Sequence, residues 1–315
     1  MGNDLLSIMQ ENLDTTKRME LIRSIENALE NRYGKKISVI SYIFNTVNPT
    51  VFLMNISHIP YLEDLVRLAK SDNAQILGFI VDSYGGDANF PMELVNKIRA
   101  YYSEFFVIGI NVLKSAATLL SIISDKIVAI ETTSFGPIDP QLIVENRPIS
   151  ARSVIDLYDR TLPEYLEKKS LAEKVVIQSA QDFTLYQQAR DAMNFIDQTL
   201  SSLSLPEERL LRVKSKLIDT PPSHGLRVDL DELATLGFSV DKIKVSEPIA
   251  DLLIEYHRRV LKNLNSFNQQ TGPGTITQGL VLFESTKRSM QLNGNVVIAT
   301  PPTRSQGPNI PPGKP

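Results

Sequence analysis

The sequence contains no cysteine and no tryptophan among 315 residues. Disulfide bracing, cysteine nucleophiles and thiolate-ligated metals are therefore excluded. Histidine is nearly missing as well. His58, His224 and His257 are the full complement, and their separations match no metal-ligand spacing. No metal and no cofactor is expected. Neither charge sign is in excess, the formal net charge being −3 with 22% charged residues. With no block of like charge, a nucleic-acid surface is not expected. No apolar run reaches the roughly 18 residues that span a bilayer. The N-terminus lacks the charged-then-apolar layout of a signal peptide, and Gly2 is followed by Asn-Asp-Leu-Leu, without the hydroxyl residue of a myristoylation signal. The expectation is a cytoplasmic protein with no transmembrane segment.

What is present is apolar. Hydrophobic residues make up 42% of the chain, enough for one core of about 200 residues with extensions. Residues 1–34 read as a helical segment with Leu21, Ile22, Ile25 and Leu29 at helical spacing, ended by Gly34. This helix is read as lying on the surface or facing a partner. Strands and helices then alternate. KISVISYIF (36–44) and VFLM (51–54) read as strands and YLEDLVRLAK (61–70) as a helix. ILGFIVDS (76–83) is apolar almost throughout, as in a strand covered on both faces. A glycine turn leads into a helix through Met92, Val95, Ile98 and Tyr102. FFVIGINVL (105–113) reads as a strand, SAATLLSIIS (115–124) as a helix and KIVAI (126–130) as a strand. This repetition predicts an α/β fold with a mainly parallel sheet.

A polar helical insert covers about 150–218 within a unit spanning 35–245. That unit closes with a helix at DLDELATLG (229–237) and a strand near Lys242–Val245. Residues 246–268 hold an amphipathic helix with Ile249, Leu252, Leu253, Tyr256 and Val260 on one face. Residues 269–300 read as a β-like extension whose two apolar segments are separated by a polar stretch containing Asn-Gly. Residues 301–315 are Pro/Gly-rich and read as disordered.

Three segments carry chemistry. Asp82-Ser83-Tyr84-Gly85-Gly86-Asp87 follows a buried strand and precedes a helix that Asn89 is placed to cap, with Pro91 in its first turn. Its glycines open backbone conformations closed to other residues; the plainer reading is a tight turn. Lys114-Ser115-Ala116-Ala117-Thr118 puts a serine where a strand gives way to a helix. There the field is positive and the next N–H is free; the plainer reading is an ordinary N-cap. Phe135-Gly136-Pro137-Ile138-Asp139-Pro140-Gln141 is a rigid loop bearing one carboxylate, or a turn in which Asp139 bonds its own backbone. One helix and one strand separate Gly86 from Ser115, so a parallel crossover brings both to the same sheet edge. Backbone N–H groups of Gly86 and Ala116 then converge on one oxygen as an oxyanion hole.

A strand ending in Ser-x-Gly-Gly, a crossover helix, a strand and then Ser-Ala-Ala at a helix start resembles the ClpP/SppA group of serine peptidases. SAATLLSIISDKIVAIETTSFGPIDPQ is more similar still to the SDH-type (serine dehydrogenase proteinase) Clp-fold serine proteinases, over roughly residues 20–245. The resemblance implies a ClpP/crotonase-like spiral of β-α units and cleavage of a peptide or protein substrate. It also implies assembly into a homo-oligomer, a trimer or hexamer. Carried over, it makes Ser115 the nucleophile, His224 the base, Asp139 the acid, Gly86 and Ala116 the oxyanion hole, and Tyr84 and Gly85 the substrate border.

The sequence departs from that pattern in two places. Tyr84 stands where a small residue or proline is common, which narrows the cleft. Lys114 directly precedes the nucleophile, but adjacent side chains diverge at a helix start. An SppA-like lysine base would come from Lys168, Lys169 or Lys174, and the neighbouring Glu164, Glu167 and Glu173 favour a solvated charged face there. His58, ahead of Pro60 at a helix start, and His257, within the amphipathic helix, are read as structural. Two other functions are compatible with this architecture: an acyl-CoA enzyme of the crotonase type, using the two N–H groups without a nucleophile, and an inactive scaffold.

Overall fold

A computed structural model describes residues 2–45, 53–70, 73–144, 147–170, 173, 183–203, 205–219, 226–266, 269–272 and 275–297. His224, Lys174, the first two residues of VFLM and the C-terminal tail lie outside the described residues.

The apolar runs become the central strands. β1 (Ile37–Phe44), β2 (Ile76–Ser83), β3 (Glu104–Leu113) and β4 (Lys126–Ile130) lie side by side and parallel. β1 and β2 are buried along their whole length, as strands covered on both faces must be. The short β5 (Ser134–Phe135) continues beside β3, and the β6 (Gln141–Val144)–β7 (Arg147–Ser150) hairpin forms a separate two-stranded sheet. β8 (Val240–Ile243) pairs parallel with β4 at one edge, starting two residues before the expected strand.

The segment 269–300 is built into this sheet. β9 (Gln269–Gly272) and β11 (Ser289–Val297) each pair antiparallel with β10 (Thr275–Ser285), and β10 pairs antiparallel with β1. The hairpin turns between Ser285 and Ser289. Asn293-Gly294, expected to separate two segments, lies inside β11, opposite Gly279 and Gln278. The sheet order is β11-β10-β1-β2-β3-β4-β8.

Helices cover both faces. On one face lie α2 (Ile59–Ala69), α3 (Phe90–Arg99) and α4 (Ala116–Ile123), whose buried residues join Leu77, Phe79, Val81 and Val107 in one core. The insert comprises α5 (Ala151–Asp156), α6 (Leu162–Glu167), α7 (Phe183–Ser202) and α8 (Glu207–Lys214). Of these, α5, α7 and α8 pack on the same side, as does the following α9 (Leu230–Thr235), whereas α6 buries no residue. On the other face lie α1 (Gly2–Tyr33) and α10 (Pro248–Ser266), packed on Val39, Ile80, Ile108 and Val128. Ile22, Ile25 and Leu29 of α1 are buried. The helix lies at the surface as expected, with Lys17, Glu20, Arg23 and Asn27 exposed, but its apolar stripe is taken up by the chain's own sheet. α1 also shields the part of β1 that β10 leaves uncovered, since Glu26 accepts the Val39 N–H at 2.8 Å and Glu30 the Ile37 N–H at 3.3 Å. Unpaired edge N–H groups are thereby satisfied.

Candidate active site

β3 ends at Leu113 and α4 begins at Ala116, leaving two residues to turn the chain. Ser115 makes that turn with φ 51° and ψ −117°. Among the described residues it is the one non-glycine residue with positive φ. Such a conformation costs of order 1–3 kcal/mol and persists only where the surroundings impose it. Here they do. The Lys114 N–H bonds the Ser83 carbonyl at 3.0 Å, the Ala117 N–H bonds the Lys114 carbonyl at 2.9 Å, and the Leu119 N–H bonds the Ser115 carbonyl at 2.9 Å. The Ser115 side chain makes no cap bond to its own helix, so its hydroxyl is left for other chemistry.

The glycine loop lies against this turn. A Cβ built on Gly85 would meet the Ser115 Cβ at 2.6 Å and the Ala116 nitrogen at 3.0 Å. On its other side the loop pairs with the chain at Met54, which forms a parallel bridge to Gly86. The Met54 N–H bonds the Gly85 carbonyl at 2.7 Å, and the Met54 carbonyl accepts the Asp87 N–H at 2.8 Å. In that pattern the middle residue's own N–H and C=O point away from the partner strand. The Gly86 N–H therefore points away from Met54. Ala116 is the first residue of α4, where helical N–H groups have no partner within the helix. The site thus has a hydroxyl on a forced turn at a helix start, with the glycine loop packed against it.

Several side chains hold this arrangement, and sequence reading did not single them out. The Ser83 hydroxyl braces the loop by accepting the Gly85 N–H at 3.1 Å. Thr118 Oγ1 donates to the Leu113 carbonyl at 2.7 Å and accepts the Gly136 N–H at 3.2 Å, tying the serine turn to the Gly-Pro loop. The signal was there in Ser-x-Gly-Gly and Ser-Ala-Ala-Thr, but hydroxyl residues near turns are too common to interpret alone. Asn89 stands at the N-cap of α3 as expected, but its side chain makes no cap bond; Asp87 Oδ1 takes both its N–H, at 2.9 Å, and its side-chain amide, at 3.1 Å.

Asp139 is buried and accepts from Gln141 Nε2 at 2.8 Å and from Ser150 Oγ at 3.0 Å, which anchors the start of the β6–β7 hairpin. Tyr84 is half-buried at the loop. The Lys114 stem lies over Gly136, where an added Cβ would meet its Cδ at 2.7 Å, and its ammonium bonds the Leu226 carbonyl at 3.3 Å. Burial, then repulsion by Arg227, pulls the Lys114 ammonium below its ordinary value. Lys168 is exposed. Lys169 sits 4.7 Å from the Tyr165 ring and 3.7 Å from Glu173, and its bond to Tyr165, helped by the charge of Glu173, pushes its value up. A raised lysine is a poor general base. His58 is structural: its Nδ1 bonds the Tyr42 hydroxyl at 2.6 Å beside Phe44 and Phe283, and burial lowers its value. Among the described residues no cluster of three metal-ligating side chains occurs and no helix is long and apolar enough to cross a membrane.

No protein-family model matches the chain. It is 23% identical over 250 residues to an uncharacterized protein of Methanocaldococcus jannaschii, covering 77% of this chain and 79% of that one. Among solved structures it is similar to ClpP1 from Listeria monocytogenes, at 10% identity, with 69% of this chain and 96% of that chain covered and a TM-score of 0.37. An enoyl-CoA hydratase from Mycobacterium avium subsp. paratuberculosis K-10 gives 12% identity, 70% and 77% coverage and a TM-score of 0.37. A membrane-bound stomatin-specific protease with a bound substrate peptide gives 20% identity, 70% and 95% coverage and a TM-score of 0.31. At such levels of likeness, the chemistry has to be read from this chain's own geometry.

Proposed function

We propose that this chain is a serine-nucleophile hydrolase that cleaves peptide bonds through an acyl-enzyme on Ser115. The observation that carries the proposal is the Ser115 conformation, a positive φ on a non-glycine residue at the start of a helix and beside Gly85-Gly86. An acyl-CoA enzyme that used only the two N–H groups would have no need of a hydroxyl on a strained turn. The peptide class rests on the resemblance of the Ser83–Asp87 and Ser115–Gln141 blocks to SDH-type proteinases.

In this reading the Ser115 oxygen gives its proton to a base and attacks the scissile carbonyl. The C–N bond then breaks as the amine takes up that proton and leaves, and water hydrolyses the resulting ester. The oxyanion formed by the attack is received by the N–H groups of Gly86 and Ala116, each such donor being worth about 3 kcal/mol in the transition state. Serine at its ordinary pKa needs a neighbouring base. We assign that role to His224. Its sequence neighbour Leu226 is bonded to Lys114, and Val228 forms a bridge with Phe135, which in turn pairs with Leu113. Asp139 is assigned as the acid that orients His224.

A fluorophosphonate probe tests the nucleophile. Labelling should map to Ser115 and vanish in Ser115→Ala, together with hydrolysis of a peptide library. Labelling that persists in that variant, or maps to Ser83, would sink the proposal. For the base, the acidic limb of kcat/KM in the wild type should lie near neutrality, as for a histidine, and His224→Ala should lose it with most of the activity.

A further inference from the structure

We infer that Asp82 and His257 are positioning residues that hold the two halves of the Ser115 site together from the opposite face of the sheet. This inference rests on the nucleophile reading above.

Asp82 is the one carboxylate in the apolar run of β2, and it is completely buried. A charge in such a place must be matched by donors. It has two. Oδ1 accepts the Val112 N–H at 2.8 Å, and Oδ2 accepts from His257 Nε2 at 2.5 Å. Side chains alternate along a strand, so Asp82 shares the face of Ile80 and Ile76, where α10 packs. Val81, Phe79 and Leu77 share the other core with α4. His257 on α10 is thus separated from α4 by the sheet, and it is no candidate for the proton acceptor of Ser115.

Its lever is the backbone. Between β2 and β3 the register slips: Val81 pairs with Gly109 but Ser83 with Leu113, so β3 carries two extra residues opposite Asp82. A bulge interrupts the ladder and strands an N–H. The Asp82 carboxylate takes the N–H of Val112, three residues before Ser115. Asp82 itself lies three residues before Gly85. One side chain therefore fixes where β2 hands over to the glycine loop and where β3 hands over to the serine turn. His257 fixes the side chain. Donation from Nε2 also selects the histidine tautomer or ion that carries a proton there.

The test compares His257→Ala with His257→Gln, whose amide can still donate to Asp82. Neither residue touches the reacting atoms, so a role confined to stability would leave the rate at Ser115 unchanged under folding conditions. His257→Ala should slow fluorophosphonate labelling of Ser115 about tenfold or more, with His257→Gln within about threefold of wild type, since sub-ångström misplacement of reacting groups is costly. Hydrogen–deuterium exchange in the same proteins should quicken in peptides covering 83–90 and 111–118 in His257→Ala, but not across 126–130. Should the alanine variant not fold, His257→Phe fills the same space without a donor and takes its place. Wild-type labelling and exchange in the variant without the donor would overturn the inference, as would a glutamine variant as slow as alanine. If the wild type itself is not labelled, the nucleophile reading fails on its own, and the exchange comparison still decides the positioning role.

Discussion

Gly85 lies so close to Ser115 that a methyl group on it would sit 2.6 Å from the Ser115 Cβ and 2.7 Å from the Lys114 carbonyl oxygen. The two consecutive glycines therefore do different things. Gly85, at φ 105°, makes room for the serine turn, whereas a Cβ on Gly86, at φ 151°, would fall 2.8 Å from the Met54 carbonyl carbon and nearer still to its N and O. Both backbone angles disfavour side chains.

Alanine at either glycine is expected to lower turnover roughly 10²-fold or more, by displacing the Gly86 N–H from the oxyanion. Gly86→Ala should also lower stability by on the order of 1–3 kcal/mol, because its collision is with backbone that has nowhere to go. Steady-state kinetics with urea unfolding separates the effects. Full turnover in Gly86→Ala would place the hole elsewhere.

The strain at Ser115 predicts a stability change in the unusual direction. Ser115→Gly removes the nucleophile but suits φ 51°, so it should be more stable than Ser115→Ala by about 1 kcal/mol or more. Equal urea midpoints for the two variants would mean that the turn is relaxed.

Glu26 makes stability depend on pH. Burial, reinforced by the charge of Glu30 and opposed by the Val39 N–H, raises its carboxyl from 4.5 to about 7. A carboxyl raised on folding binds its proton more tightly in the native state. Its contribution is complete below about 4.5 and is lost as the pH rises through about 7. Glu26→Gln keeps an oxygen for Val39 and abolishes the titration. The variant should gain on the order of 1–3 kcal/mol over wild type at pH 8 and little at pH 4.5. A gain independent of pH would contradict the shift.

Arg18 and Glu284 form a buried ion pair across 266 residues of sequence, with Arg18 Nε 3.2 Å from both carboxylate oxygens and the Tyr256 hydroxyl donating to Oε2 at 3.0 Å. Burial pushes the Glu284 carboxyl up while Arg18 pulls it down. Removing one partner of such a pair strands a charge, so Arg18→Met should cost about 3–5 kcal/mol, and adding Glu284→Gln should recover much of it. A double-mutant cycle by urea unfolding measures the coupling. A loss below about 1 kcal/mol for Arg18→Met would show the pair to be solvated.

The central strands were legible because burial on both faces leaves a composition that little else tolerates. ILGFIVDS and KIVAI coincide with β2 and β4 to the residue. The amphipathic helix expected within 246–268 was legible by its period and is α10 (Pro248–Ser266). Element order then brought Gly85-Gly86 and Ser115 to one edge. Long-range pairings were not legible. β10 joins β1 although some 230 residues separate them, because the antiparallel register depends on the surface that β1 leaves open. Asn293-Gly294 looked like a turn and became part of β11, since the partner strand supplies the Gly279 opposite it.

The sequence by itself determined which residues could carry chemistry: a serine before a helix, two glycines after a strand, and no thiol or metal cluster to compete with them. Local chemistry and chain direction suffice for that. Only the tertiary structure decided how those residues are held. Met54, Asp82, Thr118 and His257 gain their roles from neighbours 18 to 175 residues away. A strained turn such as that at Ser115 exists only when packing from many directions leaves the chain no other path.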